Sequence, residues 1–261
     1  MQTRPAPPPP RSTLAPRTLV TETALVLGVS LGASALWSVL SILRKLTAET
    51  PLSAQTTRMN TSVTPDHPWL DLAHQLTGIV LALMPVLLAL HLLARELPRP
   101  ARLIGADLSR PAQDLLHGLA LAAVIGIPGL ALYLGARELG LNTTIAAANL
   151  PSAWWAVPVL LLASVQNAAL EEVVMVGYLF TRWAQAGWST WTIILTSALI
   201  RGTYHAYQGF GGFVGNIAMG VLLGWVYTRT RRVMPLVVAH ALLDVVAFVG
   251  YAVLADRVGW L

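Results

Sequence analysis

No cysteine occurs in the chain, which excludes disulfides, thiolate catalysis and sulfur-ligated metals at once. Charge is also scarce: 11% of residues are charged, and Lys45 is the single lysine beside sixteen arginines. Soluble domains carry about a quarter charged residues. Here hydrophobic residues reach 55% and the mean hydropathy is +0.63. Those values describe a polytopic membrane protein.

A helix needs ~20 residues to cross ~30 Å of hydrocarbon while satisfying its own backbone polar groups. Hydropathy predicts an all-α membrane bundle of about seven such spans, at roughly 19–43, 69–94, 114–135, 154–181, 190–207, 212–228 and 234–255. The third is the least regular, because Pro128 and Gly129 interrupt it. Ahead of the first span, five prolines between positions 5 and 10 exclude a helix and predict a disordered or extended tail over 1–18. The apolar run that follows the tail is too long for a cleaved signal peptide and is expected to remain as a span.

The net charge of +5 does not point to nucleic acid, since the arginines fall between apolar spans and form no stripe with interleaved aromatics. Their distribution fits membrane topology instead. With the N-terminus in the cytoplasm, the inner segments hold eleven basic residues and the outer segments five, the bias that orients multi-pass proteins.

Ionisable groups inside a span are costly and mark function by default. Applied to the second half of the chain, that filter selects Glu171, Glu172, Arg201, His205, Asn216, His240 and Asp244. His91 and His117 sit near span ends, where interfacial anchoring accounts for them. His240 and Asp244 in "HALLD" are four apart and share one helix face. Glu171 lies sixteen residues before Gly187 and His205 eighteen after it. In an antiparallel hairpin both then reach ~24 to 27 Å from the turn and are able to meet. His240, nine residues from the turn at Arg231 and Arg232, is only ~14 Å deep. The depths agree if the Gly187 hairpin projects beyond the other turn.

A carboxylate beside an imidazole in an apolar cavity suits activation of a water nucleophile. A second imidazole with a short polar partner suits an oxyanion. Two imidazoles and a carboxylate also suit zinc, so the residues leave metal-dependent and metal-free hydrolysis both open. If a metal is bound, its expected ligands are Glu171, His205 and His240.

These residues resemble the CPBP intramembrane proteases, which include the CAAX prenyl protease 2 type and the bacterial Abi proteins. The resemblance covers about residues 154 to 255. "EEVVMV" matches the family's E-E-x-x-x-R in Glu171 and Glu172 but has Val176 at the arginine position. "RGTYH" matches F-x-x-x-H in His205, with Arg201 in place of the aromatic. "HALLD" matches H-x-x-x-N/D in His240 and Asp244. The resemblance implies that Glu171 is the base on the water with His205 beside it, that His240 and Asp244 bind the oxyanion or orient substrate, and that Glu172 supports the site. It further implies a membrane-associated peptide or protein substrate in a cell membrane, and the Arg-, Ala- and Leu-rich usage suits a GC-rich bacterium.

Arg201 lies one turn before His205, and is expected to replace the missing arginine as the partner of Glu172. "YQGFGGFVGN" lacks the order of a nucleotide loop. Its glycines, with Gly211, Gly215, Gly220 and Gly224 along the sixth span, predict close helix approach, and Tyr207 and Gln208 are expected to edge the site. The expected division is a lead-in half over 19–150 without chemistry and a catalytic domain over 151–261. Two rival expectations are a proton-coupled transporter, which also buries acids and histidines, and an inactive immunity or scaffold relative. The first requires a related repeat in the N-terminal half, where no counterpart of the EE pair occurs.

Overall fold

The computed structural model describes residues 10–255 and 257. It is an all-helical bundle with one short parallel strand pair. In chain order, α1 (Pro16–Gly28) and α2 (Leu31–Leu46) lead to β1 (Thr56–Arg58), then α3 (Pro68–Ala82), α4 (Met84–Ala94), α5 (Pro100–Leu103) and α6 (Pro111–Glu138). After β2 (Thr144–Ala146) come α7 (Ala156–Glu171), a π-helical stretch over Glu172–Tyr178, α8 (Leu179–Gln185), α9 (Thr190–His205), α10 (Phe210–Thr230) and α11 (Met234–Leu254).

Every span expected from hydropathy is helical. Among the described residues, five helical stretches are long and apolar enough to cross a membrane, or six if the bent pair α1–α2 is one span. The remaining one, α9, has only 16 residues, short of a full crossing, and it packs against α2 and α10. The first span bends by 56° between α1 and α2. At that break Ser30 turns its hydroxyl back onto the Val26 carbonyl at 2.6 Å. Gly32 approaches the Leu27 carbonyl so closely that a Cβ would lie 2.7 Å from its oxygen. Pro128 and Gly129 do not interrupt the third span: α6 runs through them, since a helix tolerates the lost N–H where neighbouring groups re-satisfy the backbone. Gly118 of α6 seats α11, with Val238 Cγ1 only 2.3 Å from where a Cβ would be.

The N-terminal tail needs correction within the described residues; residues 1–9 of it lie outside them. Helix α1 starts at Pro16, where proline suits the first turn. Before it, the Ser12 and Thr13 hydroxyls both donate to Glu96 at 2.8 Å. Glu96 also accepts from Arg182 at 2.7 Å. Burial raises the Glu96 carboxyl, but the Ser12, Thr13 and Arg182 donors outweigh it and hold the group at about 2. Arg182, one of the eleven basic residues counted to the inner segments, is fully buried. Its guanidinium gathers Glu22 from α1 at 2.9 Å, Glu96, and the Leu92 carbonyl from α4 at 2.7 Å. This network fixes α1 and α4 against α8.

The most buried long element runs from α7 through α8. A Cβ on Gly177 would touch Ile104 at 2.8 Å and Val233 at 3.2 Å. The α10–α11 turn therefore sits at the level of Gly177, and α8 projects past it by about 12 Å at helical rise. That offset reconciles the different depths of Glu171 and His240 along their own helices.

Candidate active site

Adjacent residues on a helix point about 100° apart, so Glu171 and Glu172 can share a partner only if that partner has two arms. Arg201 supplies them. One terminal nitrogen lies 3.1 Å from Glu171 Oε2 and the other 2.8 Å from Glu172 Oε1. The helix carrying the acids changes to π geometry at Glu172, a local form common at functional sites. The Ser197 hydroxyl of α9 donates to the Met175 carbonyl at 2.9 Å, tying the two elements together. Close packing behind Arg201 follows from Gly220, where a Cβ would lie 2.9 Å from the Ala198 Cα.

His240 Nδ1 lies 2.8 Å from Glu172 Oε1. Its Nε2 points to Glu171 Oε2 at 4.0 Å and to Asp244 Oδ1 at 3.8 Å. His205 approaches from α9, with Nε2 3.7 Å from Glu171 Oε1. That nitrogen is buried and makes no hydrogen bond within the protein. The exposures separate the two acids. The side chain of Glu172 is 0% exposed and that of Glu171 10%, beside His205 at 17% and Asp244 at 19%. The open edge of the cluster therefore runs along Glu171, His205 and Asp244, and Glu172 is sealed behind Arg201 and His240.

Two residues escaped the reading of the sequence. The Tyr204 hydroxyl donates to Glu171 Oε2 at 2.7 Å, and Asn167 Nδ2 lies 3.4 Å from Asp244 Oδ2. Asn167 stands one turn before Glu171, a helical spacing that was available as a signal. Asn216 is the converse case. Its amide donates to the Gly212 carbonyl of its own helix at 2.9 Å, and it lines a cleft of about 320 Å³ between α6 and α10. Asn216, selected from the sequence as a supporting residue, thus bonds within its own helix, because a polar side chain in an apolar helix can satisfy itself on the preceding turn.

The donor atoms of Glu171, Glu172 and His240 lie within 4.8 Å of one another. This is not the set expected for a metal, since Glu172 takes the place of His205. Arg201 already holds a fixed positive charge against both carboxylates of the group.

The helical bundle thus brings Glu171, Glu172, His205, His240 and Asp244 into one cluster, buried at Glu172 and His240 and open along His205 and Asp244. Residues 153–246 match the family model described as type II CAAX prenyl endopeptidase Rce1-like. This is the CAAX protease family that the three motifs resemble, and the match holds every residue of the cluster. No curated protein and no solved structure matches the chain.

Proposed function

We propose that the chain is an intramembrane endopeptidase that hydrolyses a membrane-associated peptide or protein with a water held between Glu171 and His205. The observation that carries this reading is the 3.7 Å gap between Glu171 Oε1 and His205 Nε2. A water beside both atoms donates to the carboxylate and accepts from the ring. Its oxygen attacks the scissile carbonyl carbon while its proton passes to Glu171. The C–N bond then breaks, and that proton goes to the leaving amine, giving an amine and a carboxylic acid that ionises on release.

His240 is read as the oxyanion donor through Nε2, with Glu172 behind it on Nδ1 and Asp244 beside the donating nitrogen. Because Nδ1–H is committed to Glu172, this role requires the doubly protonated ring. With that ring, Glu171, Glu172, Arg201 and His240 sum to zero charge, the state an apolar setting favours. A divalent ion fits this group poorly, since it would share both carboxylates with the Arg201 guanidinium.

The test is cleavage of a peptide library by the purified protein in detergent, comparing wild type with His205→Ala. Wild type is expected to release products and His205→Ala to lose activity about 10²-fold or more. Metal analysis of the same samples is expected to find no stoichiometric zinc. Absence of cleavage by the wild type would favour the inactive relative instead.

The N-terminus is placed in the cytoplasm on the arginine distribution. A chain without cysteine is ready for labelling. Leu108 and Leu139 are 77% and 75% exposed, in loops at opposite ends of α6. An impermeant maleimide applied to intact cells is expected to label Leu139→Cys and spare Leu108→Cys; the reverse pattern would invert the topology.

A further inference from the structure

The segment after His205 is held almost entirely by residues outside the family match. The Tyr207 N–H donates to Ser38 Oγ at 2.8 Å. The Tyr207 carbonyl accepts from Lys45 Nζ at 2.5 Å. The Gln208 carbonyl accepts from the Thr143 N–H at 3.0 Å and from its hydroxyl at 2.9 Å. The Phe210 N–H donates to the Leu141 carbonyl at 2.9 Å, and the Gly212 N–H to Asn142 Oδ1 at 3.1 Å. Thr57 joins the set by hydrogen bonds to Lys45 and Thr143.

The fit is tight. Gly209 has φ +121°, and a Cβ there would lie 2.6 Å from Asn142 Oδ1, so the turn lies against the 141–142 backbone with no room for a side chain. Ser38, Thr57, Asn142 and Thr143 are all buried. Five residues spread from position 38 to 143 thus converge on one short turn, which is more than joining two helices requires.

The Gln208 side chain takes no part in this clamp. Its Nε2 is directed at His205 Nδ1, 3.4 Å away, and at the Tyr207 hydroxyl at 3.2 Å. In this orientation the Gln208 amide nitrogen donates and His205 Nδ1 accepts, which assigns the ring proton to Nε2. That is the nitrogen facing Glu171 Oε1.

We propose that the N-terminal half, through Ser38, Lys45, Asn142 and Thr143, clamps the 206–212 turn so that Gln208 is the positioning residue of His205 and fixes its Nε2–H tautomer. The inference rests on the reading of His205 as the ring beside the attacking water. In that reading the Nε2–H donates to the water, turns the water's hydrogens toward Glu171 and leaves a lone pair for the carbonyl carbon. The N-terminal half then belongs to the catalytic apparatus, in place of the passive lead-in expected from the sequence.

The experiment uses the full chain in detergent with ¹⁵N-labelled histidine, and the His205 ring signals are assigned by their loss in His205→Ala. Wild type is expected to show an unprotonated Nδ1 and a protonated Nε2. Gln208→Glu keeps the shape but only accepts, so it is expected to move the proton to Nδ1. It is also expected to lower kcat about 10- to 100-fold, with KM nearly unchanged. Lys45→Met and Asn142→Ala, which do not touch the ring, are expected to give mixed tautomers, and they carry the same readout should Gln208→Glu not fold.

A protonated Nδ1 in the wild type, or the wild-type tautomer retained in Gln208→Glu, would overturn the proposal. The expected tautomer shift in a protein that cleaves nothing would uphold the positioning role and overturn the protease reading.

Discussion

Glu171→Gln is expected to lower peptide cleavage about 10³-fold or more, because it removes the base on the attacking water and leaves only positioning effects. Glutamine keeps the volume of the side chain and can still accept from the Tyr204 hydroxyl, which now donates at 2.7 Å. Arg201 keeps Glu172 as its partner at 2.8 Å, so no buried cation is stranded. The variant is therefore expected to unfold in detergent near the wild-type temperature. Loss of activity with loss of fold would instead give Glu171 a structural role.

Arg201→Met is expected to have the largest effect on stability. Removing one member of a buried ion pair costs about 3 to 5 kcal/mol, because the remaining charge has no compensation. Here a single guanidinium, 1% exposed, faces two carboxylates, and Glu172 Oε2 already has no hydrogen-bond partner. Thermal unfolding in detergent is expected to fall well below that of the wild type, and cleavage to be lost with it. Arg201→Lys is expected to fall between the two, since one ammonium group cannot reach both acids as a fork does. An unchanged melting temperature in Arg201→Met would show that Arg201 does not stand in for the arginine absent at Val176.

The parts of the fold that were legible in the sequence follow from short-range physics. The length of each apolar run predicts a helix, and helical rise on either side of Gly187 places Glu171 and His205 at one depth, where Glu171 Oε1 and His205 Nε2 are 3.7 Å apart. The bend after α1 left no trace, because Gly28, Val29 and Ser30 sit inside an unbroken apolar run. The burial of Arg182 left none either, because its partners Glu22 and Glu96 lie 160 and 86 positions away.

Long separation also concealed the clamp. Ser38, Lys45, Asn142 and Thr143 carry no periodic pattern, and their bonds to Tyr207, Gln208 and Gly212 form only once α2 and the β1–β2 pair close over α9. Tyr204 was hidden differently. A phenol in a helix usually reads as core, and only the arrival of Glu171 from another helix gives its hydroxyl a task.

The central claim is that Glu171 drives hydrolysis of a peptide bond. Its most direct test is wild type and Glu171→Gln, side by side in liposomes, with a peptide library in water enriched in ¹⁸O. Mass spectrometry is expected to find new carboxylates carrying one ¹⁸O from the wild type and none from Glu171→Gln. Equal products from both proteins, or no products from either, would contradict it.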